Sequence, residues 1–322
     1  MTLSEARAED SKSALAERKL SAPPQNVLFA TDFSPTSEAA LPYAAAICRR
    51  FGSTLHAAHV LSDASLLVMT GGVDYVSMGT IYDSAHQDAQ EKLEHMALHF
   101  EGIPHRSHVR HGLIWQNLAE IMAENDVDLI VVGTHGRTGL GKLLLGSVAE
   151  DILRHAPCPV LTVGPKVSGR AKLPAFPITG RDLAPVELDL RQILLATNFA
   201  HKAASVAQVA VSLTQSFHAR LTLMHVFENY THLSSRPDLV EDGVRRLQEL
   251  LPENATLQYP PDTVLEFGSA AERILKVASA READLVVLGA RPAVRAGSTH
   301  LPWTTAHQVI AQAHCPVLTI RE

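Results

Sequence analysis

The chain has 322 residues, 46% of them hydrophobic and 19% charged, with a formal net charge of −6; this is the composition of a soluble globular protein long enough for two ordinary domains. The negative balance, with no Lys/Arg cluster, argues against a nucleic-acid partner, and no uninterrupted apolar run is long enough to cross a membrane. Cys48, Cys158 and Cys315 are too few and too far apart for a disulfide framework or a cysteine zinc site.

Residues 1–24 mix both charges and lack the apolar core of a signal peptide, so they read as a mobile tail and the cytoplasm as the compartment. In residues 25–164, apolar β-branched runs predict strands at Val27–Ala30, Leu55–Val60, His105–Arg110, Leu129–Val132 and Val160–Val163. Helical patterns fall between them at Ser37–Phe51, Ile81–Glu101, Trp115–Glu124 and Ser147–His155, and a Gly/Ser-containing stretch from Asp63 to Gly79 predicts a long loop. This alternation predicts an α/β fold, a parallel sheet covered on both faces. Ligands of such sheets sit at the carboxyl ends of the strands, where strand order reverses. The ends that matter are Thr31-Asp32, Val60 and Gly133 onward.

Residues 165–189, rich in proline and without an apolar period, predict a linker. After it the chain repeats itself over residues 190–322. `VLFATDF` from Val27 is answered by `ILLATNF` from Ile193, `DLIVVG` from Asp128 by `DLVVLG` from Asp284, and `CPVLTV` from Cys158 by `CPVLTI` from Cys315. Two long copies point to duplicated globular domains. The near-identical last strands, Pro159–Val163 and Pro316–Ile320, carry no charge to protect an exposed edge. They are expected to pair antiparallel across a pseudo-two-fold axis, making an internal pseudo-dimer.

The stretch `GTHGRTGLGKLLLGS`, Gly133 to Ser147, holds two overlapping glycine patterns. A P-loop reading, G-x4-G-K from Gly136, fails because Lys142 is followed by Leu143 where a Mg²⁺-binding hydroxyl is required. The alternative, G-x2-G-x9-G-S from Gly133, suits phosphate binding. Gly133 leaves room at a strand end for a ribose or phosphate, and Gly136 lets the chain turn. Gly146-Ser147 then returns the chain to a helix start, where free N–H groups and the helix dipole favour an anion. Ser147 with Glu150 also makes a capping-box pattern.

Together `VLFATDFS`, `AAHV` from Ala57, His111-Gly112, `DLIVVGTHGR`, the spaced Gly146-Ser147 and `CPVLTV` resemble the universal stress protein family in its tandem two-domain form. The resemblance covers nearly everything from Asn26 to Ile320 except the linker. It implies two doubly wound, Rossmann-like domains of the adenine nucleotide-binding type, each with a five-stranded sheet, and ATP as ligand, with or without Mg²⁺. By position, Ala30, Thr31 and Asp32 would line the adenosine pocket, and the backbone of Val60 would read the adenine edge with Val132 beside it. Gly133, His135, Gly136, Arg137, Gly146, Ser147 and Val148 would hold ribose and phosphates. Single-domain members often dimerise through their last strands, which implies the same pairing here and leaves room for a further homodimer.

The second copy departs from this pattern. Asn198 stands in the place of Asp32, Pro292 in that of the second glycine, and Trp303 in that of Gly146, with Thr304 left as a helix cap. An indole there fills the space a phosphate needs, so one working site and one degenerate copy are expected. Seventeen histidines raise the question of a metal. His105, His108 and His111 alternate faces of one strand and do not converge, and His59 and His225 read as packed near the cleft. Cys158 and Cys315 read as buried fillers. The functional expectation is an ATP-binding regulatory or sensor module in the stress response, acting on a protein partner. A slow ATPase or nucleotide transferase, motivated by Arg137 and Lys142, and a nucleotide-free interaction module stand beside it.

Overall fold

The structure, a computed structural model, describes residues 23–62, 75–134, 145–167, 188–228, 237–290 and 305–321, with the backbone alone for 75–80. The first half runs β1 (Asn26–Ala30), α1 (Pro35–Glu38), α2 (Leu41–Phe51), β2 (Thr54–Leu61), α3 (Tyr75–Ala97), β3 (His105–His111), α4 (Ile114–Glu124), β4 (Leu129–Gly133), α5 (Ser147–His155) and β5 (Val160–Val163). The second runs β6 (Gln192–Thr197), α6 (Ala203–Phe217), β7 (Arg220–Phe227), α7 (Pro237–Glu249), β8 (Asp262–Phe267), α8 (Ala270–Ala280), β9 (Leu285–Ala290), α9 (Thr305–Gln312) and β10 (Val317–Arg321).

Two helices differ from the sequence expectation. The helix predicted over Ser37–Phe51 is split into α1 and α2. Ser34, in extended backbone, accepts a hydrogen bond from Ser37 N–H ahead of Pro35, and a second proline, Pro42, opens α2. Proline favours a first helical turn because it has no N–H to leave unpaired. The helix predicted from Ile81 starts at Tyr75 and gives way at Leu98–Phe100 to a 3₁₀ turn. Gly79, read as part of a loop, lies inside that helix, and a helix interior tolerates one glycine at a cost of about 1 kcal/mol. The rest of the expected loop, residues 63–74, lies outside the described residues, as do the expected tail to residue 22 and linker residues 168–187.

Ten strands make one sheet among the described residues, in the order β3-β2-β1-β4-β5-β10-β9-β6-β7-β8. Every pairing within a half is parallel, and only β5 and β10 run antiparallel. The two final strands that the sequence set against each other are therefore neighbours. Leu161 lies opposite Leu318, and each flanking threonine crosses to the other strand: Thr162 Oγ1 donates to Val317 O at 3.0 Å and Thr319 Oγ1 to Val160 O at 3.2 Å. Those side-chain bonds satisfy buried hydroxyls that would otherwise be costly.

Strand alternation sorts the core into two faces. Val27 and Phe29 of β1 join α2, α3, α6 and α7 in one hydrophobic cluster that runs through both halves. Leu28 and Ala30 face α4 and α5, while Leu194 and Ala196 of β6 face α8 and α9 in a separate cluster. Phe51 meets its counterpart Phe217 edge to face, with centroids 5.9 Å apart. No helix among the described residues is long and apolar enough to cross a membrane.

His56 is buried on β2, with Nδ1 3.2 Å from His108 Nε2 and Nε2 3.3 Å from Asn26 Oδ1. Burial, then the neighbouring His108 and Arg106, lower its pKa from 6.5 to about 4. The unfolded chain therefore takes up this proton first as the pH falls, so its contribution is complete above pH 6.5 and lost toward pH 4. His56→Gln should remove roughly 1–2 kcal/mol of the acid loss of stability. Urea unfolding of both proteins across this window checks it, and parallel pH profiles would contradict it.

Candidate functional site

The strand order reverses between β1 and β4, which puts the ends of those strands at the ligand edge of the first half. Thr31 N–H donates to Ala58 O at 3.0 Å, the last rung of the β1–β2 ladder. The chain then turns through a knot of short-range bonds. Thr31 Oγ1 accepts from Phe33 N–H, Asp32 Oδ1 accepts from Ser34 N–H, and Ser37 Oγ donates to Ser34 O, each at 3.0 Å. With the Ser37 proton so used, the Thr31 hydroxyl is the donor in its 3.0 Å contact with Ser37 Oγ. Phe33 is left at φ 60°, an uncommon region for a non-glycine residue. Its ring rests on His59, centroid to centroid 4.4 Å, and lies 5.5 Å from Lys92 Nζ. His59 Nδ1 donates to Thr31 O at 2.8 Å, and since a carbonyl only accepts, the proton sits on Nδ1.

The second half repeats the backbone part of this arrangement, with Ala200 and Ala203 in the places of Ser34 and Ser37 and so without their side-chain bonds. Phe199 sits at φ 56°, its N–H donates to Thr197 Oγ1 at 3.0 Å, and His225 Nδ1 donates to Thr197 O at 2.8 Å. Arg246 lies over Phe199 at 4.0 Å, where Lys92 lies over Phe33. Asn198 Oδ1 accepts from Ala200 N–H at 2.9 Å, so an amide closes the turn as well as a carboxylate. The turn needs the acceptor oxygen; the negative charge of Asp32 is additional to it.

Val60 lies beyond the end of the β1–β2 ladder, whose last pair is Ala30 with Ala58. Successive peptides of a strand point to opposite sides. Ala58 turns its carbonyl to Thr31 and Leu61 turns its own to Gly112, so Val60 directs its N–H and C=O to the β1 side. In the second half the ladder continues one pair further, to Thr197 with His225. Val132 is buried on β4 opposite Ala30, in the same cluster as Val60.

Gly133 departs from the expected reason for its glycine. A Cβ there would lie 2.5 Å from Thr36 O and 2.8 Å from Ser37 Cα. The room left by the missing side chain, expected to admit a ribose or phosphate, is filled by the backbone of α1. Next to it, Thr134 is buried, its N–H donates to Val163 O at 3.1 Å, and its carbonyl accepts Gly146 N–H at 2.8 Å. That bond joins the residue after β4 to the N-cap of α5 and sets the start of α5 beside the ends of β4 and β5. The expected capping box is not formed. Gly146 is the N-cap, Ser147 is the first helical residue, and Glu150 pairs with Arg154 at 3.1 Å. The first helical bond is Glu150 N–H to Gly146 O, so the N–H groups of Ser147, Val148 and Ala149 precede the internal ladder.

Of the expected site residues, Ala30, Thr31, Asp32, Val60, Val132, Gly133, Gly146, Ser147 and Val148 gather at this edge. His135, Gly136 and Arg137 lie outside the described residues, as do Lys142, Pro292, Trp303 and Thr304. Pattern matching passed over Phe33, Ser34 and Ser37, although `TDFSPTS` holds the signal: short polar side chains placed to accept from a backbone N–H two or three residues on. His105, His108 and His111 do not converge. They meet Phe100, His56 and His86 respectively, the last with His86 Nδ1 2.9 Å from His111 Nε2. Among the described residues no group of three or more His, Cys, Asp or Glu is placed to hold a metal. All three cysteines are buried, and burial pushes the Cys48 and Cys315 thiols up to about 12, away from thiolate chemistry.

The Universal stress protein family profile matches residues 24–164 and again 190–321. Universal stress protein A homolog 1 of Coxiella burnetii is 33% identical over 140 residues, which are 43% of this chain and 95% of that protein. A universal stress protein of Methanocaldococcus jannaschii is 30% identical over 139 residues, 43% of this chain and 81% of that one. Along the whole chain, the crystal structure of a universal stress protein from Archaeoglobus fulgidus superposes with a TM-score of 0.65 at 19% identity, covering 92% of this chain and 98% of that one, which shows the fold. Two family matches on one α/β sheet fix the assignment: the chain belongs to the universal stress protein family.

Proposed function

We propose that the first half binds ATP at the carboxyl edge between β1 and β4, and that the protein is a nucleotide-dependent regulatory module of the stress response. The observation that carries this reading is the bond from Gly146 N–H to Thr134 O at 2.8 Å. It sets the unladdered N–H groups of α5 at the edge where strand order reverses, as an anion site requires. Ser147, Val148 and Gly146 would hold phosphate there, with His135, Gly136 and Arg137 of the intervening sequence. Ala30, Thr31 and Asp32 would face the adenosine, Val60 would offer its N–H and C=O to the base edge, and Val132 would pack beside it. Gly133 would serve the site indirectly by letting α1 close in. Mg²⁺, when bound, would be held chiefly by the phosphates, since no group of three or more His, Cys, Asp or Glu among the described residues is placed to hold a metal.

The second copy would be silent, for its sequence puts Trp303 in the place of Gly146 and Pro292 in that of the second glycine. Hydrolysis would be slow or absent. Rapid phosphoryl transfer needs a base or water-orienting residue held in line with the phosphate, and the sequence motif assigns no residue to that role. The cytoplasm is the compartment this function implies, and its output would be a change of protein partner or of assembly. Mass spectrometry of the small molecules released on denaturing the purified chain tests the ligand directly. Adenine nucleotide in stoichiometric amount is the expected result; release of a non-nucleotide ligand in its place would overturn the reading.

A further inference from the structure

The two halves meet along β5 and β10, and α5 is bound into that junction at several points. Leu145 and Leu153 pack on a cluster whose buried members all belong to the second half, among them Val309 and Ile310 of α9 and Val317 of β10. Leu153 also joins the cluster of its own half, whereas Leu145 appears in the second half's cluster and in neither of the others. Gly164, just past β5, has no space for a Cβ, which would lie 2.6 Å from Ile310 O. On α9, His307 lies within the fields of Glu150 and Arg154, which act on it in opposite senses.

Leu145 immediately precedes Gly146, the N-cap of α5. The segment returning to the ligand edge is therefore fixed twice. A backbone hydrogen bond ties it to Thr134 of its own half, and an apolar side chain seats it on the other half. A single hydrogen bond fixes a distance but leaves rotation about it; the partly buried Leu145, packed on the second half, restricts that freedom. The first half alone would lack that second fixing point.

We propose that the second half positions the first half's ligand-binding helix end through Leu145, so that nucleotide occupancy and the packing of α5 on α9 are coupled. The inference rests on the ATP reading above and gives the degenerate copy a task in it. Coupling of this kind is reciprocal. A ligand at the start of α5 tightens the contact between the halves, and loosening that contact weakens the ligand. Leu145 is a positioning residue, with no contact to nucleotide required of it.

The test uses the full chain with ATP as the probe. Leu145→Ala should weaken ATP binding roughly five- to twenty-fold, and Leu145→Met, which keeps the apolar volume, should restore it to within about two-fold. In the wild type, ATP should slow amide exchange in Thr305–Gln312, a helix of the other half. A purely structural role for Leu145 would lower stability without that ATP-dependent protection. A wild type that binds ATP while Leu145→Ala binds it equally well, with α9 exchange indifferent to ATP, would overturn this inference alone. A wild type that takes up no ATP would overturn the site reading and this inference with it.

Discussion

Replacing Gly146 by Trp is expected to abolish ATP binding while the chain still folds. Gly146 has φ −65° and ψ 148°, a conformation open to any residue, so its backbone makes no demand for glycine. Its bond to Thr134 O is made by the main chain and survives the change. The loss of a good N-cap residue should cost about 1 kcal/mol. An indole at that place stands in front of the N–H groups of Ser147 and Val148, where the phosphates are proposed to lie. The second copy has made the same substitution in its own sequence, with Trp303. Equilibrium dialysis against labelled ATP should find binding reduced beyond detection, with the wild-type circular dichroism retained. A variant that binds ATP normally would show that the phosphates lie elsewhere.

Gly133→Ala should have the opposite profile, a small change with a large effect on stability. The added methyl would sit 2.5 Å from Thr36 O and 2.8 Å from Ser37 Cα, both backbone atoms that cannot rotate away. Either β4 or α1 must shift, and forced overpacking of this kind costs about 1–3 kcal/mol. The cost should fall at the upper end, because Ser37 is hydrogen-bonded to Thr31 and the β1–α1 turn moves with α1. ATP affinity should fall as well, since Thr31 and Asp32 are carried along. A fall in the urea unfolding midpoint together with weaker ATP binding is the expected result. An unchanged midpoint would mean that α1 yields at no cost and that its packing on Gly133 is loose.

Most of the architecture was legible because it rests on local patterns. The alternation of `VLFA`, `DLIVVG` and `PVLTV` with amphipathic stretches gave the strands, and the doubled motifs gave the two halves. Even the pairing of β5 with β10 followed from an apolar edge with no charge to guard it. The split of α1 from α2 and the turn bonds of Ser34 and Ser37 had local signals, whereas the other misses turned on contacts between segments distant in sequence. Gly133 has its glycine for the sake of Thr36 and Ser37, a neighbour that no linear pattern reveals. Ser147 looks like an N-cap by composition, yet Thr134 O draws in Gly146 N–H, and the helix starts one residue earlier with Gly146 as its N-cap. Leu145 reads as one leucine among three, and its seat on the second half appears only once the halves are packed. His59 was read correctly as packed near the cleft, but its bond to Thr31 O depends on a register that periodicity cannot supply.

The central claim is that a chain with two copies of one fold carries one nucleotide site, in its first half. Calorimetric titration of the full chain with ATP tests it most directly, with the wild type and Gly146→Trp measured side by side. One ATP per wild-type chain, and none for the variant, is the predicted result. Two equivalent sites per chain, or a full equivalent still bound by Gly146→Trp, would contradict it.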